Sequence, residues 1–231
     1  MKCKEVSESE VNHIWTKNQF KVFLSHKATC KEETSKLKRE LEKYGINAFV
    51  AHNDIEPTKE WQNEIEKALL SMDAFVALIT EDFHDSEWTN QEIGFSLAFE
   101  IPHIYINLDG NPKGFAAKIQ ALKCSWEDAP EKILNVLLKY DKARNALIDN
   151  LKNVLNYYSA NDVYNHLITF DLNEEQCNKV ILAYNNNSQI SGSNKFNGYS
   201  GYGIIPYLNK WSGKQYKLDE TNEIVEVNVE I

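Results

Sequence analysis

Long apolar runs are missing from this chain of 231 residues. None approaches the roughly 18 consecutive apolar residues that a membrane-spanning helix needs. The first residues, MKCKEVSESEVNH, also lack the apolar segment of a secretory signal. We therefore expect a cytoplasmic protein that neither spans nor binds a membrane.

Basic residues are in the minority. Lysine and arginine together number 25 and aspartate and glutamate 34, which gives a formal net charge of -9. Such a chain repels the phosphate backbone of nucleic acids and the surface of anionic membranes. We therefore expect no nucleic-acid partner.

Several common catalytic and metal-binding patterns are absent too. The four cysteines form no CxxC pair and the six histidines no HExxH motif, so the sequence predicts no metal site. No GxSxG pattern indicates acyl transfer. The glycines of GYSGYG (198–203) have the wrong spacing for a phosphate-binding loop. A receiver domain would carry its phosphoacceptor aspartate at the end of the third apolar run, but that run ends at Thr80. The sequence therefore gives little support to a receiver domain.

What the sequence does contain is an alternation of short apolar runs with amphipathic helical patterns. The runs are Phe20–His26, Ile46–Ala51, Ala74–Thr80, Ile101–Leu108 and a weaker one near Lys123–Trp126. This alternation predicts βαβ units and a parallel, doubly wound sheet. Such sheets bind ligands beyond the carboxyl ends of their strands, here Ser25–His26, the loop 52–60 and the connection 80–88.

The pattern changes from about Pro130. One long helix or two broken helices are predicted up to Tyr158, and a further helix after Asn173, which is a good N-cap with Gln176 three residues later. We predict a polar loop at 185–203 and a tail, EIVEVNVEI, that is compatible with an edge strand. The predicted domains are a lead-in at 1–17, an α/β domain at 18–140 and a smaller, mainly helical accessory domain at 141–231.

One helix carries an unexpected carboxylate. In SEWTNQEIGFSLAFE (86–100), helical spacing puts Trp88, Glu92, Phe95 and Phe99 on one face. An unpaired carboxylate in an aromatic stripe is costly. An ordinary surface or salt-bridged glutamate also fits the spacing, but the position of Glu92 beside the predicted ligand-binding edge favours a functional role.

These residues together resemble a Toll/interleukin-1 receptor (TIR) domain of the bacterial kind. The resemblance covers about 18–140 and rests on VFLSH, NDIEP before EWQNEIEKAL, AFVALIT and SEWTNQEIG. It implies a flavodoxin-like, five-stranded parallel sheet. Catalytic members carry a Trp-x-x-x-Glu pattern, matched by Trp88 and Glu92. The chain differs in having Thr89 where many members have cysteine, and Glu56-Pro57-Thr58 in place of a common Pro-Gly.

The resemblance implies an enzyme that cleaves NAD+ between nicotinamide and ribose, releasing ADP-ribose or a cyclic isomer, in a signalling role in bacterial anti-phage defence. Glu92 is then catalytic, and NAD+ is a substrate with no further cofactor. The residues expected to bind NAD+ are Ser25, His26, Lys27, Asp54, Trp61 and Trp88. Self-association between TIR domains is expected, and the product is expected to act on a separate effector protein.

Two alternatives stay open. TIR domains also act as non-catalytic assembly modules, and nucleoside deoxyribosyltransferases have a related sheet with a glutamate at an N-glycosidic bond. The Trp-x-x-x-Glu pattern favours the NAD+-cleaving enzyme over the assembly module.

Overall fold

The computed structural model describes residues 6–50, 61–199, 201 and 203–227. Its parallel strands are β1 (Phe20–Ser25), β2 (Ile46–Phe49), β3 (Ala74–Ile79), β4 (His103–Asn107) and β5 (Leu122–Lys123). They lie in the order β2-β1-β3-β4-β5, and each neighbouring pair is parallel. This is the flavodoxin-like order, whose topological switch lies between β1 and β3. The predicted α/β class and five-stranded parallel sheet are confirmed.

Helices lie along this sheet. They are α1 (Glu8–Val11), α2 (Lys31–Glu42), α3 (Trp61–Ser71), α4 (Glu87–Ser96) and α5 (Ala129–Leu137). Helix α2 contacts α5, whereas α3 contacts both α1 and α4. Gly45, shortly after the end of α2, has a φ of 76°, a left-handed conformation that glycine adopts without steric cost.

Alternate side chains of the central strands point into the α1/α3/α4 layer. Phe23, Phe75 and Tyr105 come from β1, β3 and β4 and belong to one buried cluster. Phe23 stacks on Phe75 with ring centroids 5.8 Å apart. This cluster is the core on which α4, and therefore Glu92, is supported.

The segment 1–17, predicted to be a lead-in, contributes to that core. Val11 and Trp15 are buried in it. The Trp15 ring packs against Phe49, and its indole nitrogen donates a hydrogen bond to Ser71 Oγ at 2.8 Å. Val6 and Ile14 are partly buried against the same cluster. The sequence did not predict these contacts because the four apolar residues lie among many polar ones and show no clear period.

The fifth predicted strand is shorter than expected. The fifth strand is only Leu122–Lys123, because Ser125 and Asp128 form side-chain hydrogen bonds that begin the turn before α5. A 3₁₀ helix, Gly114–Lys118, lies between β4 and β5.

The chain divides into two compact units, Met1–Arg144 and Asn145–Ile231. The division falls within α6 (Asp141–Asn150). The predicted division into domains at 1–17, 18–140 and 141–231 stays a prediction. Among the described residues, no helix has both the length and the apolar character needed to cross a membrane.

The second unit is mainly helical, as predicted. Its further elements are α7 (Tyr157–Leu167), α8 (Glu174–Asn186), α9 (Ser188–Ser191), α10 (Asn194–Asn197), α11 (Ile205–Ser212), β6 (Tyr216–Leu218) and β7 (Ile224–Glu226). The predicted cap is present, since Asn173 and Gln176 form a reciprocal capping box at the start of α8. β7, from the alternating tail, pairs antiparallel with β6.

The prediction of a polar loop at 185–203 is wrong for much of that segment. It contains the end of α8 and the short helices α9 and α10. Ile190 and Phe196 are fully buried and anchor these helices, and the Phe196 ring packs edge-on against Tyr164. Two apolar side chains among many asparagines, serines and glycines therefore order the segment.

Candidate functional site

Ser25 and Glu92 meet at the topological switch of the sheet. Ser25 is the last residue of β1, and Glu92 lies on α4, which follows β3. The Ser25 hydroxyl donates a hydrogen bond of 2.5 Å to Glu92 Oε2. This short distance is typical of a hydroxyl bonded to a charged or strongly polarised oxygen. The predicted juxtaposition of the strand end with Glu92 is therefore present.

The Glu92 carboxyl is buried, with only 7% of the residue exposed. Removal from water raises the pKa of Glu92 to about 7, and the hydrogen bond from Ser25 acts in the opposite direction. No cation forms an ion pair with this carboxyl among the described residues. A buried carboxyl with a pKa near neutrality, beside the end of a strand, is typical of a functional site.

The surroundings of Glu92 differ from the aromatic stripe expected from helical spacing. Trp88 and Phe95, one turn before and after it, are 40% and 37% exposed. Helix α4 ends at Ser96, and Phe99 lies beyond it with its ring 5.5 Å from that of Phe95. Glu92 is buried because its side chain is directed to the end of β1, whereas the Trp88 and Phe95 rings are exposed and Phe99 packs against the core cluster.

Thr89 follows Trp88 where the Trp-Cys pattern has cysteine, and its hydroxyl has a defined partner. Thr89 is buried, and its hydroxyl donates a hydrogen bond of 2.6 Å to Phe83 O. Its backbone N–H is capped by Ser86 Oγ. Thr89 thereby ties the first turn of the helix to the preceding 3₁₀ turn, Phe83–Asp85. These bonds hold the orientation of α4 and therefore the direction in which the Glu92 side chain points.

The other predicted ligand-binding residues have different positions. His26 is buried, with Nδ1 3.1 Å from Leu24 O. Lys27 Nζ donates to Asp82 O at 3.1 Å and lies 3.7 Å from the Asp82 carboxylate. Lys27 therefore links the end of β1 to the loop after β3. Asp54 lies outside the described residues, and of Trp61 only its backbone position at the start of α3 is described.

The β3–α4 loop is held by the loop after β4, a contact that no sequence pattern predicts. Asp109 accepts a 2.8 Å hydrogen bond from the backbone N–H of Glu81. At the neighbouring Gly110, an added Cβ would lie 2.1 Å from Thr80 O. A glycine is needed here because the two loops are in backbone contact. A lone Asp-Gly pair is too common in turns for this function to be inferred from sequence.

A second link reaches α4 through His84. Its Nε2 accepts a hydrogen bond from the backbone N–H of Lys113, and its Nδ1 lies 2.9 Å from Asn90 Oδ1. With Nε2 accepting from Lys113, Nδ1 is placed to donate to Asn90 Oδ1. Among the described residues, no group of three or more His, Cys, Asp or Glu side chains is arranged to hold a metal ion.

The fold and this site define a flavodoxin-like α/β domain with a buried carboxyl at its topological switch. Residues 22–135 match the sequence model described as the TIR domain, and this part of the chain is a TIR domain. No protein among the curated sequences matches the chain. Among solved structures, the chain is similar to the TIR domain of the Toll-related receptor TRR-2 from Hydra magnipapillata. The identity is 18%, the match covers 52% of this chain and 98% of that chain, and the TM-score is 0.44.

Proposed function

We propose that this protein cleaves NAD+ at the bond between nicotinamide and ribose, with Glu92 as the catalytic residue. The observation that carries the proposal is the buried Glu92 carboxyl, held by Ser25 at the switch between β1 and β3. TIR domains include both enzymes of this kind and non-catalytic adaptors, so the domain alone does not decide between them.

The chemistry needs a fixed negative charge. When the N-glycosidic bond breaks, its electron pair goes to the pyridinium nitrogen and nicotinamide leaves as a neutral molecule. Positive charge then develops on the ribose, and a nearby carboxylate stabilises it, as in glycoside hydrolysis. The low dielectric around a buried carboxylate strengthens this interaction.

The pKa of Glu92 fits this role. The free carboxyl is protonated in part at neutral pH because burial raises its pKa to about 7. A bound NAD+ brings the pyridinium cation close to the carboxyl, and a nearby positive charge favours the ionised form. The ionised carboxylate is therefore promoted in the complex in which it is needed.

The two carboxyl oxygens have different surroundings. Oε2 accepts the hydrogen bond from Ser25, whereas Oε1 accepts none from the described residues. Oε1 is thus the oxygen available to the ribose. Water completes the reaction by adding to the ribose carbon and losing a proton, which yields ADP-ribose. Attack by a nitrogen or hydroxyl of the same molecule, again with loss of a proton, yields a cyclic isomer.

The proposal includes a signalling role in anti-phage defence, with the product acting on a separate effector protein. The alternative is a TIR assembly module without catalysis. TIR domains commonly self-associate, and the exposed rings of Trp88, Phe95 and Phe115 supply apolar surface of the kind found at interfaces.

The direct test is incubation of the concentrated, purified chain with NAD+, followed by chromatography and mass spectrometry of the products. We expect nicotinamide with ADP-ribose or its cyclic isomer. Glu92→Gln removes the charge with little change in shape and is expected to lower the rate by on the order of 100-fold or more. Glu100→Gln, at an exposed position just beyond α4, is the matched control and should retain the wild-type rate.

Two results would contradict the proposal. Wild-type turnover in a folded Glu92→Gln protein would remove Glu92 from catalysis. Absence of nicotinamide release by the wild-type chain at high concentration, together with concentration-dependent assembly, would favour the assembly module. Release of free base from deoxynucleosides would instead favour the transferase.

A further inference from the structure

The second unit contains a groove that the proposed function does not use. It has a volume of about 400 Å³ and lies along α6 and α8. Its lining residues are Ile148, Asp149, Lys152, Lys179, Leu182, Ala183, Asn186 and Asn187. This volume falls within the range typical of small-molecule sites, roughly 300–1,000 Å³.

The floor of the groove is apolar. Ile148 and Ala183 are buried there, whereas Leu182 is 64% exposed and forms one wall. The Leu182 side chain and the apolar floor are two aliphatic surfaces against which a planar ring can pack. Burial of such surface contributes about 25 cal/mol per Å².

The charged residues of the groove differ from those of the unit around it. Residues 145–231 contain six lysines and ten acidic residues, whereas the groove is lined by two of those lysines and a single carboxylate. Lys179 lies 3.1 Å from Asp149 Oδ1 and 3.5 Å from Glu175. Lys152 is exposed and forms no ion pair with any described residue. The groove therefore presents an ammonium group to an incoming anion in an otherwise acidic unit.

Asp149 narrows the class of ligand. One of its oxygens is bonded to Lys179 and the other accepts no hydrogen bond from the described residues. A purely anionic ligand would be repelled by that oxygen, whereas a ligand that also carries hydroxyl or amino donors would bind it. Asn186 donates its side-chain N–H to Leu182 O, which leaves its amide oxygen as a further acceptor.

We propose that this groove binds a nucleotide, with the base against Ile148, Leu182 and Ala183, the phosphate at Lys152, and ribose or base donors at Asp149. A nucleotide combines the three features that the groove requires, namely a planar ring, an anionic group and hydrogen-bond donors. Carboxylates commonly bind ribose hydroxyls in nucleotide sites. The proposal concerns the second unit and does not depend on NAD+ cleavage by the first.

The test is isothermal titration of the full chain with AMP, adenosine and inorganic phosphate. AMP is expected to bind with a dissociation constant on the order of 0.1 mM. Adenosine should bind more weakly because it lacks the phosphate, and phosphate more weakly still because it lacks the ring. No saturable AMP binding in the millimolar range would overturn the proposal.

Variants at exposed positions locate the binding without endangering the fold. Lys152→Gln should weaken AMP binding by about tenfold and leave adenosine binding unchanged, since only the phosphate contact is lost. Leu182→Glu places a negative charge in the wall and should weaken AMP more than adenosine. Lys217→Gln, at an exposed lysine of β6 outside the groove, is the matched control. AMP affinity that stays unchanged in both groove variants would place the nucleotide elsewhere and overturn the proposal.

Discussion

Burial of Glu92 makes the stability of the protein depend on pH in a calculable way. Burial raises the pKa of Glu92 from the ordinary 4.5 to about 7 in the folded protein. The unfolded chain therefore releases this proton at a lower pH than the folded protein does. Stability associated with the protonated carboxyl is full below about pH 4.5 and is lost as the pH rises to about 7.

The difference between these two pKa values corresponds to about 3 kcal/mol of unfolding free energy. Glu92→Gln keeps the size and polarity of the side chain but cannot ionise. Relative to wild type, the variant should therefore gain about 3 kcal/mol in unfolding free energy between pH 4.5 and pH 8. Most of the gain should occur between pH 5 and 7, since both wild-type states are ionised above about pH 7.

Equilibrium urea unfolding at several pH values measures this difference. Because the same other groups titrate in both proteins, their contributions cancel when the variant is compared with wild type at each pH. Glu100→Gln is again the control, and its difference from wild type should stay within about 0.5 kcal/mol at every pH. A pH-independent difference for Glu92→Gln would refute the burial argument. A difference of the opposite sign would mean that a cation stabilises the carboxylate.

Three further predictions concern catalysis. The kcat/KM of NAD+ cleavage should fall about tenfold per pH unit below about pH 7, because the reaction needs the ionised Glu92; a flat profile from pH 5 to 8 would contradict this. Ser25→Ala removes the hydrogen bond that lowers the pKa of Glu92, so the acid limb of the kcat/KM profile should move to higher pH. An acid limb at the wild-type pH would show that Ser25 does not act on the carboxyl. Trp88→Ala should reduce kcat/KM by about tenfold through lost stacking, with little change in melting temperature because the side chain is 40% exposed. The matched control is Phe115→Ala, another exposed aromatic, and a large fall in melting temperature for Trp88→Ala would instead make that residue structural.

The sheet could be predicted from sequence because its strands are short, almost wholly apolar and separated by helical spacing. All six residues of β3 are buried, so the run itself identifies a central strand. The fifth strand was misplaced because two residues give no periodicity, and its end depends on the Ser125–Asp128 side-chain bonds. In the second unit, α9 and α10 escaped prediction because each depends on a single buried residue, Ile190 or Phe196.

For the site, the sequence predicted that Glu92 lies beside the strand ends and shares an aromatic face of its helix, whereas Trp88 and Phe95 are exposed and Glu92 is buried. Helical spacing shows which residues share a face of α4, but it does not show which face meets the sheet. That choice depends on Thr89 and on the contact with Ser25, which involve three-dimensional packing. The contacts of Asp109 and Gly110 with the β3–α4 loop also join separate loops, so the sequence alone does not predict them.

The hydrogen bond between Ser25 and Glu92 joins residues that are 67 positions apart. The bond closes only when β3 has paired with β1 and α4 has docked over their ends. Bringing such distant segments together costs chain entropy, which slows folding. During synthesis, the chain must extend beyond α4 before the carboxyl can be enclosed. A partly made or partly unfolded protein therefore holds Glu92 in water with an ordinary acidity, and the distinctive chemistry of this group arises only in a chain that has completed its sheet.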